Sequence, residues 1–109
     1  MNFLCAESLG NGNWLVAGET FSGPTKQTEN VEFAIRPENL ELAQQGISAT
    51  VRVVEPLGAH VLVTCVVGDN NLFRAVLDSR TAVKAGDKLY LNPQDEYIRW
   101  FDTETGEGI

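Results

Sequence analysis

Apolar and polar residues alternate with a period of two along most of the chain. Val31, Phe33 and Ile35 share one face of a short segment, and this spacing is typical of a half-buried β-strand. The next such segment places four apolar residues on one face: Ile47, Ala49, Val51 and Val53. The segment His60–Val67 is apolar on both faces, which predicts a central strand or one covered by another surface.

Turn-forming residues separate these segments at short intervals. Pro37 ends the first strand and begins a turn, because proline cannot donate to a strand ladder. The other predicted turns are Pro56–Gly58, Gly68–Asn71, Ala85–Asp87 and Asp102–Gly106. The further predicted strands are Leu72–Leu77, Lys88–Leu91 and Tyr97–Phe101. Near the start, Phe3–Ser8 and Trp14–Ala17 flank a Gly/Asn turn and predict a hairpin, and a polar loop is expected over Ser22–Asn30.

Helices have little room in this pattern. No window of ten or more residues carries an apolar stripe at helical spacing, and only Glu38–Gln45 and Thr81–Ala85 leave space for a turn or two. Short strands at intervals of about 8–12 residues, separated by Gly and Pro turns, favour a small β-barrel or a sandwich. The pattern therefore predicts an all-β chain forming a single domain over residues 1–109.

Composition excludes several classes of partner. The chain has 109 residues and a formal charge of −7, from 8 Lys and Arg against 15 Asp and Glu. Phosphate backbones need a basic face, so nucleic acid is not expected as a partner. Trp14, Trp100 and Phe101 are accordingly expected in core or interface packing rather than in base stacking. No apolar run approaches the roughly 20 residues that span a bilayer.

The two cysteines are expected to be reduced thiols. Cys5 and Cys65 are far apart in the sequence, and the start of the chain lacks the basic and apolar stretches of a secretory signal. Cys65 lies in an apolar run, where a free cysteine usually packs as a small hydrophobic residue. With one histidine and no close cysteine pair, the sequence does not predict a metal site.

No catalytic constellation is evident. His60 is the only imidazole, and it lies within a predicted strand, so it is expected at a sheet edge or rim rather than in catalysis. There is no Gly-x-x-x-x-Gly-Lys-Ser/Thr loop to hold a phosphate, and Gly106–Gly108 opens no helix. Asp87 and Asp102 are interpreted as turn and capping carboxylates.

Four segments in order resemble a known family. They are Phe33–Leu40, Val53–Gly58, Ala85–Leu91 and Trp100–Gly106. Together they resemble the C-terminal regulatory domain, the transport-associated OB fold or TOBE domain, of ATP-binding subunits of ABC importers of the maltose and glycerol-phosphate type. The resemblance implies an OB-fold-like small β-barrel with extra N-terminal strands, and it extends over nearly the whole chain because Met1–Leu4 is similar to the segment joining the ATPase domain to this module.

The resemblance also implies what lies around the chain. It would be a fragment of a longer subunit whose ATPase domain precedes Met1, and ATP and magnesium would be held there and not by these residues. The implied partners are a second copy of the subunit, its own ATPase domain, indirectly the membrane-spanning importer subunits, and in some relatives a cytoplasmic regulatory protein. The implied location is the cytoplasmic face of the bacterial plasma membrane, through the transporter complex.

The family-motif positions are expected to have structural or interface roles rather than catalytic ones. Arg36 is held extended by the following proline, and with Glu38 it is expected either to form a cross-strand ion pair or to fix the following loop. Gly58 is expected to need a positive φ. Trp100, Phe101 and Asp102 end the last strand where family members more often carry a His-Leu-Phe-Asp-like run. The complete set is Arg36, Pro37, Glu38, Glu55, Gly58, Gly86, Asp87, Trp100, Phe101 and Asp102.

A second function remains open at this point. Molybdate-type relatives bind anions in such folds through backbone N–H groups with a few Lys or Ser side chains. This chain is acidic and has no turn rich in Ser and Lys. These features count against an anion site of that kind. The alternative function that stays open is a module of the same fold that binds a small ligand, an oxyanion or a sugar.

Overall fold

The computed structural model describes residues 1–25 and 30–109. These residues form ten β-strands and two 3₁₀ turns, with no α-helix among them. The strands are β1 (Asn2–Gly10), β2 (Asn13–Val16), β3 (Glu19–Ser22), β4 (Val31–Ile35), β5 (Leu40–Ala43), β6 (Ile47–Pro56), β7 (His60–Val67), β8 (Asn71–Asp78), β9 (Lys88–Pro93) and β10 (Arg99–Asp102). The 3₁₀ turns are Pro37–Asn39 and Asp95–Tyr97. The prediction of an all-β fold is confirmed.

The strands form two antiparallel sheets of five strands each. The first sheet has the order β10-β4-β1-β2-β3, and the second has the order β5-β9-β6-β7-β8. The edge strands β5 and β8 of the second sheet come close together, so this sheet curls into the partly open, five-stranded form typical of an OB fold. The hairpins β1–β3 are the extra N-terminal strands, and the molecule measures 42 × 22 × 21 Å.

The predicted alternation places the core correctly in both sheets. Val31, Phe33 and Ile35 of β4 are buried, and so is Ala34, because β4 lies between β1 and β10. In β7 the buried set is Val61, Val63, Cys65 and Val67. β7 lies between β6 and β8, so the first of the two predicted alternatives, a central strand, is confirmed. The second face of β7 is only partly covered, and Leu62 and Val66 are half-buried there. The apolar residues on that face are therefore on the surface of the molecule.

The prediction that Val53 continues the buried face of β6 is wrong. Ile47, Ala49 and Val51 are buried, whereas Val53 is 48% exposed. The pairing of β6 with β7 shifts register between Val51 and Val53, which marks a β-bulge. A bulge inserts one residue and turns the following side chains to the other face. Val54 consequently packs against the core in place of Val53.

Two strands of the structure, β3 and β5, are not predicted by the sequence pattern. Pro37–Asn39 forms the expected turn, but the possible helical turn over Glu38–Gln45 is replaced by β5, which pairs with β9. The segment Thr81–Ala85 is likewise not helical. The predicted hairpin near the start is confirmed as β1 and β2, while β3 includes Ser22, the first residue of the expected polar loop. Residues 26–29 of that loop lie outside the described part of the chain.

Asn2 joins the two sheets through a buried side chain. It lies on β1 of the first sheet and is only 5% exposed. Its amide Nδ2 donates to the carbonyl of Arg74 at 2.7 Å, and its Oδ1 accepts the backbone N–H of Arg74 at 2.8 Å. Arg74 lies on β8, an edge strand of the second sheet. One side chain therefore satisfies both backbone groups of an edge residue, as a neighbouring strand would do.

The cysteines are free, as expected, and differ in surroundings. Cys5 is exposed and Cys65 is buried. Desolvation by burial raises the pKa of Cys65 from 9.0 to about 11. The thiolate is the reactive form, so burial and the raised pKa both protect Cys65.

We expect a thiol reagent to modify the exposed Cys5 rapidly in the folded protein at a pH of about 8. The buried Cys65 should react only when the protein unfolds. Cys5→Ser should remove the fast phase and leave the slow one. A fast reaction in that variant would contradict the burial of Cys65.

The same burial predicts a pH dependence of stability. The folded pKa of Cys65 lies above its unfolded value of 9.0, so the folded state binds the proton more tightly. The contribution of Cys65 is therefore complete below pH 9 and is lost as the pH rises through about 11. Denaturant unfolding followed across this range should show the loss, and Cys65→Ala should remove it.

Candidate functional site

Four aromatic rings form the interior of the first sheet. The ring centroids of Phe21 and Phe33 lie 5.2 Å apart, and those of Phe33 and Trp100 lie 5.6 Å apart in an edge-to-face arrangement. Trp14 packs against Trp100 at 5.9 Å, and its indole N–H donates to the carbonyl of Pro24 at 2.9 Å. Such pairs add specific geometry to apolar burial.

Gly23 has to be a glycine because it lies against both tryptophans. A Cβ there would be 2.7 Å from Cδ1 of Trp14 and 2.8 Å from Cζ2 of Trp100. Any larger residue would displace one of the two indoles. This close approach fixes the path of the chain directly after β3.

An open cleft of about 350 Å³ lies beside these rings. We call it the edge cleft, because β3 and β10, which border it, are the two edge strands of the first sheet. It is lined by Thr20, Phe21, Ser22, Asp95, Ile98 and Trp100. Trp100 is buried, Phe21 and Ile98 are half-buried, and the three polar residues are exposed. The cleft therefore has an aromatic wall and a polar rim.

An apolar patch covers the outer face of the second sheet. Its members, which we call the outer strip, are Val53, Leu62, Val66, Leu72 and Val76. Val66 pairs with Leu72 across β7 and β8, and Leu62 pairs with Val76. Val53 and Leu72 are the most exposed members, at 48% and 54%. Apolar cross-strand pairs on an unpartnered sheet face are unusual for a solvated surface.

The predicted site residues around Pro37 are placed in a loop between the two sheets. Arg36 is exposed, and its carbonyl accepts the N–H of Asn39 at 2.9 Å. Pro37 occupies the first position of the 3₁₀ turn, and Glu38 follows it. Within residues 1–25 and 30–109, no ion pair joins Arg36 to Glu38. The ion-pair alternative is therefore not realised, and Arg36 contributes through its backbone.

The next group of predicted residues lies in turns of the second sheet. Glu55 is near the end of β6, and Gly58 has φ +84° in the turn to β7, as predicted. Gly86 donates its N–H to the carbonyl of Val51, and the Asp87 carboxylate accepts the N–H of Lys84 at 3.0 Å. These contacts hold the loop before β9 against β6.

The last predicted residues, Trp100, Phe101 and Asp102, lie on β10, and their side chains have different surroundings. Trp100 points into the core and the edge cleft, whereas Phe101 is half-buried on the other face, edge-to-face with Phe3 at 6.1 Å. The Asp102 carboxylate accepts the N–H of Glu104 at 2.8 Å and closes the following turn. Of all the predicted residues, only Trp100 lines the edge cleft, and only Glu55 lies beside the outer strip, paired with Leu62.

Sequence reasoning missed the other lining residues. Asp95 begins the last 3₁₀ turn, Ile98 follows that turn, and Phe21 lies in a strand that was not predicted. Asp95 and Ile98 lie close to Trp100 in the sequence, whereas the fold brings Phe21 to them from a distant segment. The outer strip did leave a signal, namely the apolar residues on both faces of β7.

The described residues do not form a site around His60 or a group of metal ligands. His60 is exposed at the start of β7, opposite Asp78. In the portion of the chain that the structure covers, no three His, Cys, Asp or Glu residues are grouped as metal ligands would be. Among the described residues there is also no helix long and apolar enough to cross a membrane.

Comparison with known proteins identifies the family. The TOBE domain family matches residues 33–101. An ABC transporter ATP-binding protein of Sinorhizobium fredii, y4oS, is 38% identical, and the match covers 100% of this chain and 31% of that protein. The sn-glycerol-3-phosphate import ATP-binding protein UgpC of Cupriavidus metallidurans is 36% identical over 74% of this chain and 23% of its own length. The ABC transporter ATP-binding protein YurJ of Bacillus subtilis is 31% identical over 74% and 24%.

The match and the structure agree. The matched residues begin in β4 and end in β10, so they include the whole second sheet, which has the curled five-stranded form of an OB fold. The chain spans less than a third of the length of each of these relatives. On this match of sequence and fold, the chain belongs to the TOBE domain family.

Proposed function

We propose that this chain is the regulatory and dimerisation domain of the ATP-binding subunit of an ABC importer for sugars or related carbohydrates, without catalysis of its own. The observation that carries the proposal is the TOBE match over residues 33–101, together with relatives that are ATP-binding proteins of ABC transporters. Since the chain corresponds to less than a third of these relatives, ATP and Mg²⁺ binding are assigned to the rest of the subunit.

The proposal places the domain within a larger assembly. Its partners would be its own ATPase domain, a second copy of the subunit and, indirectly, the membrane-spanning importer subunits. A cytoplasmic regulatory protein is a further partner in this scheme. The complex would hold the domain at the cytoplasmic face of the plasma membrane. In this position the domain stabilises the pair of subunits while the ATPase halves open and close.

The outer strip is the surface best suited to contact between two copies. Thr64 of the central strand β7 lies between its apolar residues, and a charged residue lies on each outer strand: Arg74 pairs with Thr64 on the β8 side, and Glu55 pairs with Leu62 on the β6 side. A two-fold axis along the strands would put β6 of one copy over β8 of the other. This arrangement brings Glu55 toward Arg74 of the second copy and buries both strips, so charge and apolar area favour the same contact.

Leu72→Glu tests this surface. We expect the variant to weaken self-association of the intact subunit, measured by sedimentation without nucleotide, by about tenfold or more, because a carboxylate would replace an apolar side chain in the buried contact. Leu57→Glu is the matched control, since Leu57 is 55% exposed but lies in the turn between β6 and β7. The control should associate like the parent protein.

Deletion of residues 1–109 from the intact subunit tests the proposal as a whole. If the shortened subunit dimerises as strongly as the complete one, the dimerisation role is wrong. Nucleotide hydrolysis by the isolated domain would contradict the assignment of catalysis to the rest of the subunit.

A further inference from the structure

The edge cleft has the form of a ligand site. Its volume of about 350 Å³ falls at the lower end of the roughly 300–1,000 Å³ of small-molecule pockets. It opens where the two edge strands of one sheet approach each other, so backbone groups of β3 border it as well as side chains. Among the described residues, nothing pairs with the outer edge of β3 in the sheet order.

The aromatic wall of the cleft is held in place before any ligand arrives. Phe21 and Trp100 both pack on Phe33, which is fully buried. Trp100 is also held by Trp14, whose own indole N–H is fixed by the carbonyl of Pro24. A wall that does not have to be ordered on binding lowers the entropic cost of association.

The polar rim offers hydrogen-bonding groups of a particular kind. Thr20 and Ser22 carry hydroxyls and Asp95 carries a carboxylate, and none of these side chains hydrogen-bonds to another described residue. No Lys or Arg is present among the described lining residues. The nearby Arg99 guanidinium donates to the carbonyls of Glu96 and Ile98, both at 3.0 Å. The cleft therefore accepts hydrogen bonds strongly and repels anions.

We infer that the edge cleft binds a neutral polyhydroxyl compound, a sugar or a small polyol. The positively polarised C–H groups of such a compound would lie on the negative face of the half-buried Phe21 ring, and its hydroxyls would donate to Asp95. A phosphorylated or oxyanionic ligand would face the Asp95 carboxylate, while the nearby Arg99 guanidinium already donates to the carbonyls of Glu96 and Ile98. This inference goes beyond the proposed function and does not depend on it, because it concerns the cleft in the isolated domain.

Tryptophan fluorescence provides the direct test, because the chain has two tryptophans and one of them, Trp100, lines the cleft. The probes are maltose, glucose and glycerol, compared with glycerol 3-phosphate and inorganic phosphate. We expect a saturable change with at least one neutral probe, in the millimolar range appropriate to a small open site, and none with the two anions. Calorimetry with the same probes provides an independent measurement.

Two matched variants locate the binding. Asp95→Ala removes the carboxylate of the cleft, and Glu96→Ala removes the neighbouring carboxylate of the same 3₁₀ turn, which does not line the cleft. Both residues are exposed, so both variants should unfold at the temperature of the parent protein. We expect the Asp95 variant to lose affinity by about tenfold or more and the Glu96 variant to retain it. The inference is overturned if no neutral probe gives a saturable response, if phosphate or glycerol 3-phosphate binds as tightly, or if the Asp95 variant binds like the parent.

Discussion

Phe33→Ala should lower the free energy of unfolding by about 3–5 kcal/mol, the usual cost of removing a buried phenylalanine ring. Phe33 is fully buried at the centre of β4 and contacts the rings of both Phe21 and Trp100. The surrounding strands pair on both sides of β4, so they cannot close the resulting cavity. Much of the stability of a small domain would be lost.

Chemical denaturation of the purified domain measures this effect directly. Phe3→Ala is the matched control, because the same ring is removed from a side chain that is 50% exposed and contacts only the outer face. We expect the control to cost only about 0.5–1.5 kcal/mol, the usual contribution of one aromatic pair, because half of the ring is already exposed. Equal costs in the two variants would mean that the aromatic cluster is not the core of the first sheet.

Asn2→Ala should lower the free energy of unfolding by about 1–3 kcal/mol, because it leaves partly buried backbone groups of Arg74 without their partners. The effect should also be local. The amide of Arg74 lies on the edge strand β8, and its hydrogen exchange should accelerate more than that of amides at the centre of the second sheet.

The control for this variant is Asn92→Ala. Asn92 is exposed on β9, and an exposed strand position of this kind usually changes stability by about 0.5 kcal/mol or less. If Arg74 exchanges at the same rate in the Asn2 variant and in the control, the side chain of Asn2 does not connect the two sheets in solution.

Much of the fold could be predicted from the sequence, because the buried side chains lie at every second position of the strands. Val31, Phe33 and Ile35 were correctly placed inside, and so was the inner face of β7. The bulge after Val51 was missed, although the adjacent apolar residues Val53 and Val54 interrupt the alternation at this place. The strand β5 was missed since it is only four residues long and follows a turn that also suits a helix start.

The sites were less predictable than the fold. Trp100 was singled out from the family motif, but Phe21, which lines the cleft with it, lies on β3 at the opposite edge of the first sheet and far away in the sequence. Asn2 gave no signal either, because its partner is a backbone group of β8 rather than a side chain with a recognisable pattern. Contacts between distant segments depend on tertiary geometry, which local periodicity does not contain.

Because β4 pairs with β10, the two ends of the matched family segment lie next to each other. Phe33 and Trp100 are register partners in this pair, and the segment runs from residue 33 to residue 101. A unit whose two ends are neighbours tolerates insertion into, or attachment to, other polypeptides without rearrangement of its interior. A change in either of the paired strands would therefore disturb both ends of the unit at once, together with β1, which pairs with β4.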